Sequence, residues 1–121
     1  MKYMMLIYTD PAAGPAVGTP EQAAAQQEWM QYSQELAATG SLLAGDALQG
    51  TETATTVRVR AGDTLTTDGP FAETKEVLGG FYMIDVDGLD EALAWAARMP
   101  NITYGSVEVR PLMEFDMESS S

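Results

Sequence analysis

Val77-Leu78-Gly79-Gly80-Phe81-Tyr82-Met83-Ile84-Asp85-Val86 is the stretch on which the fold turns. Its apolar residues fall on both parities, so a strand built from it is hydrophobic on both faces and needs cover on both sides. Gly79 and Gly80 remove two side chains from its interior, as happens at a bulge or where another group approaches closely. The opening run Met1-Lys2-Tyr3-Met4-Met5-Leu6-Ile7-Tyr8 repeats the pattern, with Met4, Leu6 and Tyr8 on one parity and Tyr3, Met5 and Ile7 on the other. It reads as a strand from Lys2 to Thr9. The run is too short for a membrane span or a signal-peptide core.

Outward from these two strands the remaining elements fall into place. Asp87-Gly88 opens a helix on which Glu91 is placed to cap back onto the N-terminus, with a predicted stripe of Leu89, Leu93, Ala96 and Ala97 and with Trp95 beside it. Ser106 to Phe115 alternates as a last strand, with Val107, Val109, Met113 and Phe115 on one face. Upstream, Thr19-Pro20-Glu21-Gln22 is a helix start with Thr19 as N-cap, Pro20 at the first helical position and Gln22 completing a capping box. That helix runs to Gly40 with Trp29, Tyr32 and Leu36 inward and Glu28 and Glu35 solvated. Ser41 to Leu48 is a strand interrupted at Gly45-Asp46. Thr53 to Arg60 and Thr64 to Thr67 form a hairpin about Ala61-Gly62-Asp63, with Val57 and Val59 expected inward and Arg58 and Arg60 outward.

The order is βαββαβ with an inserted β-hairpin, an α+β chain of ferredoxin-like plan. One domain over residues 1–115 is expected, followed by a polar, frayed tail over residues 116–121. Two helices can cover only one face of the sheet, yet the two strands that decide the fold are apolar on both. A second copy is the simplest cover, so the expectation is a homodimer with its sheets packed face to face.

Composition narrows the chemistry. The 121 residues carry 6 Lys and Arg against 18 Asp and Glu, a formal net charge of -12, which argues against nucleic acid and anionic membranes as partners. With no cysteine and no histidine, thiolate nucleophiles, imidazole bases, serine–histidine triads and most transition-metal sites are excluded. The lack of an export signal and of disulfides points to the cytoplasm. No glycine-rich phosphate fingerprint is present, because Gly79-Gly80 lies inside a strand instead of opening a helix. Most of the eight methionines and the two tryptophans, Trp29 and Trp95, lie in the strand and helix patterns and read as core filler. A carboxylate site for a hard cation would draw on Asp46, Asp68, Glu73 and Glu76, but calcium-loop spacing is missing, and neither metal nor cofactor is expected.

The chain's most distinctive run is Asp68-Gly69-Pro70-Phe71-Ala72-Glu73-Thr74-Lys75-Glu76. Gly69 before proline is pushed extended or to positive φ, Pro70 cannot join a ladder, and Asp68 can accept N–H bonds across the turn. This run resembles the hallmark of the YCII-related family, in particular its DGPF subgroup. Thr55-Thr56-Val57-Arg58, Gly79-Gly80-Phe81-Tyr82, Asp90-Glu91-Ala92 and Gly105-Ser106-Val107-Glu108-Val109-Arg110-Pro111 fit it as well, so the likeness spans nearly the whole chain. The resemblance implies a small bacterial protein of the ferredoxin-like, dimeric α/β-barrel type. Members of that subgroup are often encoded near extracytoplasmic-function sigma factors, so the resemblance also raises a sigma factor as a partner. The histidine–aspartate pair of the wider superfamily has no counterpart here, because the chain has no histidine.

Two functional readings follow. In the first, a small molecule binds in a pocket beside the Asp68–Glu76 loop. Asp68 is then the acid/base or anchor, Lys75 the partner of an anionic group, Tyr82 or Tyr8 the polarising hydroxyl, and Phe71 and Glu73 complete the site. On this reading Asp68→Asn abolishes ligand binding. The structural alternative has Asp68 capping the turn and Lys75 paired with Glu73 or Glu76. In the second, the protein is a non-catalytic regulator or interaction partner of a sigma factor, its negative charge steering a basic surface.

Overall fold

The computed structural model describes residues 1–72 and 74–114. In chain order it contains β1 (Lys2–Thr9), α1 (Pro20–Ala38), β2 (Leu42–Ala47), a 3₁₀ turn (Thr51–Thr53), β3 (Thr55–Arg60), β4 (Asp63–Asp68), β5 (Val77–Asp85), α2 (Leu89–Ala97) and β6 (Gly105–Pro111). Four strands make an antiparallel sheet in the order β2-β5-β1-β6, which is the ferredoxin-like arrangement, and β3 and β4 form a separate two-stranded sheet.

The two strands that are apolar on both faces occupy the sheet's centre, as their patterns require. Their register places Tyr3 opposite Ile84 and Met5 opposite Tyr82 on one face, with Met4 opposite Met83 and Leu6 opposite Phe81 on the other. Both helices lie on the first face. Tyr3, Met5, Ile7 and Ile84 are buried there against Tyr32 and Leu36 of α1 and Ala92 and Ala96 of α2. The second face has no helix among the described residues, and Met4, Leu6, Phe81 and Met83 stay half-buried.

The helix starts follow the capping chemistry. Thr19 is extended and its hydroxyl accepts from the Gln22 amide at 3.2 Å, while Gln22 Oε1 reaches past it to the Gly18 amide at 2.8 Å. Before α2, Glu91 Oε2 accepts from the Asp87 amide at 3.0 Å. Gly40, with φ of 79°, ends α1 in the left-handed conformation that glycine adopts without strain.

Three expectations are corrected. In α2 the side turned to the sheet carries Ala92 and Ala96 and continues to the fully buried Met99, while Leu89 and Leu93 stand 48% and 47% exposed. The small alanines let the helix backbone approach the sheet, and that sets the rotation. In the hairpin, Val57 and Val59 point to solvent at 60% and 58% exposure. The reason is that among the described residues β3 pairs with β4 alone and lies outside the core, while Arg58 on its other face rests over the Phe71 ring at 5.6 Å. The last strand ends at Pro111 and Met113 is exposed. Phe115 and the tail expected to fray lie outside the described residues.

Candidate functional site

The first third of β5 is where the sheet opens into cavities, and glycines are the cause. Pairing with β1 runs to Ile7 opposite Gly80, then resumes at Tyr8 opposite Leu78, so Gly79 is the extra residue of a bulge. A Cβ at Gly80 would meet the Asp46 carbonyl oxygen at 2.8 Å, so β2 runs closer than any other residue would allow. A Cβ at Gly45 would lie 2.7 Å from Cδ1 of Tyr82. The Tyr82 ring therefore lies against bare backbone.

On the helix side this leaves a cleft of about 560 Å³ between α1, β2 and β5. The Tyr82 hydroxyl and Ser33 Oγ share a hydrogen bond of 2.5 Å. The Trp29 ring stands 6.5 Å from the Tyr82 ring at an interplanar angle of 22°. Ile7, Thr9 and Gln26 complete the wall. Asp46 and Phe81 also border it, but both stand in register with Leu6 on the other face, so strand alternation leaves them only their backbone here. Behind Tyr82 lies Tyr32, whose hydroxyl donates to the Trp95 carbonyl at 2.8 Å. Burial, with a smaller contribution from Tyr82, pushes the Tyr32 pKa well above the tyrosine range.

A second cavity of about 570 Å³ lies on the opposite side of the same strand end, between residues 48–54 and the loop after β4. Tyr8, Phe71, Glu76 and Leu78 line it. Ser106 Oγ donates to Glu76 Oε1 at 2.7 Å, and the Tyr8 hydroxyl donates to Glu108 Oε1 at 3.5 Å. The loop is held by backbone: Gly69, at φ of 110°, donates its amide to the Ala54 carbonyl at 2.6 Å, and its own carbonyl accepts from Thr56 Oγ1 at 2.8 Å.

Of the residues singled out from sequence as ligand-binding, the three that line a cavity are divided between two sides of the sheet. Tyr8 and Phe71 line the loop-side cavity, and Tyr82 faces the helix-side cleft. Asp68 closes β4 in an exposed position lining neither cavity, and the turn is tied by Gly69's backbone where the Asp68 carboxylate was expected to do so. Lys75 has Asp10 as its carboxylate neighbour among the described residues, at 3.9 Å, while Glu76 is engaged by Ser106. Glu73 lies outside the described residues. Trp29, expected among the core residues, also borders the cleft, together with Gln26, Ser33 and Gly45, for which the sequence suggested no site role. The available signal was two polar side chains, Gln26 and Ser33, at helical spacing from Trp29 on α1, Ser33 half-buried and Gln26 exposed.

Among the described residues no group of three or more Asp or Glu side chains converges as a metal site, and no helix is long and apolar enough to cross a membrane.

The model of the YCII-related domain matches residues 1–116. The chain belongs to the YCII-related family. An uncharacterised protein of Rhizobium meliloti is 40% identical over 114 residues, covering 93% of this chain and 92% of its own. Among solved structures, this YCII-related chain is similar to 5-chloro-2-hydroxyhydroquinone dehydrochlorinase from Burkholderia phenoliruptrix AC1100 in complex with 2,5-dihydroxybenzoquinone, with a TM-score of 0.57 and 12% identity, covering 97% of this chain and 98% of that one. The two share the ferredoxin-like α+β fold.

Proposed function

We propose that this YCII-related protein binds a small molecule in the cleft between α1 and the sheet. One observation carries the reading: Gly45 and Gly80 keep the floor free of side chains beside a tyrosine hydroxyl and a tryptophan ring, leaving a cleft of about 560 Å³. That volume is within the range of small-molecule sites. The solved structure of the same fold holds a small ring compound, which supports a ligand-binding role for the scaffold.

A second reading keeps the loop-side cavity, as expected for a member of the DGPF subgroup, and is favoured by Tyr8 and Phe71 both lining it. Any carboxylate acid/base chemistry there falls to Glu76, the one carboxylate of that wall among the described residues. The sigma-factor role stays with the resemblance to that subgroup. Ligand-observed NMR with a metabolite library on the wild type, Trp29→Ala and Phe71→Ala separates the two sites. Hits lost only in Trp29→Ala support the cleft, and hits lost only in Phe71→Ala move the site to the loop.

The half-buried apolar row Met4, Leu6, Phe81 and Met83 supports a homodimer packed through this open face, in a cytoplasmic protein. Sedimentation should give twice the chain mass, and Leu6→Asp should give the single-chain mass with the far-ultraviolet spectrum retained. A wild-type mass of one chain at micromolar concentration overturns the dimer.

A further inference from the structure

We infer that the ligand of the helix-side cleft is an uncharged, flat ring that carries a hydrogen-bonding group on its edge. The inference rests on the cleft being the binding site and adds the chemical class. Its first support is the charge of the walls. The polar side chains that face the cleft are the Thr9 hydroxyl, the Gln26 amide, the Ser33 hydroxyl and the Tyr82 hydroxyl, all neutral at pH 7. An ion entering such a space loses water and gains no counter-charge, which costs more than an uncharged molecule of the same shape pays. An anion meets in addition the field of a chain with a formal charge of -12.

The second support is the hydroxyl pair. Ser33 and Tyr82 share one hydrogen bond at 2.5 Å, and either oxygen can be the donor in it. Whichever donates, the other keeps its proton, so the pair always presents one free O–H together with unused lone pairs. A hydroxyl or a carbonyl on the ligand's edge is what this pair can bind.

The third support is shape. Gly45, Gly79 and Gly80 make the β-sheet wall flat. The Trp29 and Tyr82 rings stand 6.5 Å apart, short of the two van der Waals gaps, about 7 Å in all, that a ring inserted between them would need. The ligand therefore lies alongside the aromatic wall and over the glycines, where a flat molecule makes the most contact.

The test uses four small monocyclic probes: phenol, benzoate, benzylamine and cyclohexanol. Each is titrated into the full chain while the indole N–H resonance of Trp29 is followed, that resonance being assigned with Trp29→Phe. Phenol is expected to shift it saturably, the two ions to bind at least about tenfold more weakly, and cyclohexanol to bind more weakly than phenol. Tyr82→Phe, which keeps the ring and removes the hydroxyl, should weaken phenol several-fold; Ser33→Ala is the second variant should Tyr82→Phe fail to fold. Benzoate, benzylamine or cyclohexanol matching phenol at Trp29 overturns the ligand class and leaves the cleft as the site. A Trp29 resonance that no probe moves overturns the class and the cleft together.

Discussion

The hydroxyl of Tyr32 on α1 donates to the carbonyl oxygen of Trp95 on α2 at 2.8 Å, joining the two helices above the sheet. The Tyr32 ring also meets the Tyr82 ring at 5.6 Å, so the same side chain backs the cleft. Its burial has a consequence for alkaline stability. The folded chain keeps the Tyr32 proton at pH values where an unfolded tyrosine, with a pKa of about 10, releases it. Unfolding then liberates a proton, and stability falls as pH rises above about 10. Urea midpoints measured by circular dichroism from neutral to strongly alkaline pH should decline more steeply for the wild type than for Tyr32→Phe. Near neutrality, Tyr32→Phe should lose about 1 kcal/mol. Parallel pH profiles would remove Tyr32 as the cause.

Adjacent glycines in β5 should respond in opposite ways to one methyl group. At Gly80 the added carbon meets backbone, the Asp46 carbonyl at 2.8 Å, and backbone can yield only by separating β2 from β5. Gly80→Ala should cost about 1–3 kcal/mol. At Gly79 the nearest atom is the Ile7 carbonyl oxygen at 3.9 Å, and Gly79→Ala should stay within about 0.5 kcal/mol of the wild type. Thermal denaturation of the two variants checks the contrast, and equal losses would contradict the close approach of β2.

Asn101 is 1% exposed and its amide nitrogen donates to the Tyr8 carbonyl at 3.1 Å and to Thr9 Oγ1 at 3.3 Å. These bonds pin the α2–β6 turn to the end of β1. Gly105 fits beneath them, since a Cβ there would collide with the Tyr8 carbonyl oxygen and lie 2.8 Å from Asn101 Nδ2. Asn101→Ala should lower stability by about 1–3 kcal/mol in urea titrations. An unchanged midpoint would show that the turn is held by other means.

The loop after β4 separates backbone from side chain. Asp68→Asn alters an exposed carboxylate that lines neither cavity, so the melting temperature and phenol binding at Trp29 should both be unchanged. Gly69→Ala forces a side chain to adopt φ of 110° and should cost about 1–3 kcal/mol. A stability loss in Asp68→Asn would instead assign the turn to its carboxylate.

Much of this was legible because it depends on local chemistry. Thr19, Pro20 and Glu91 mark helix starts through hydrogen bonds within a few residues, and the double apolar parity of Lys2–Thr9 and Val77–Val86 demands central strands wherever they occur. The rotation of α2 was not legible, because Leu93 and Ala92 are both acceptable inward residues and the choice depends on how closely the sheet approaches. Nor was the direction of Val57 and Val59, since a two-residue alternation names two faces without saying which one is dry.

By itself, then, the sequence determined the element order, the central place of β1 and β5, and a chemistry without thiols or imidazoles, because periodicity, capping and composition act locally or over the whole chain. Only the tertiary structure decided which residues share a cavity. Tyr8 and Tyr82 looked interchangeable as hydroxyl donors. Strand register sends them to opposite faces of one sheet, because Tyr82 pairs with Met5 and Tyr8 alternates with Met5, and neither strand carries that pairing alone.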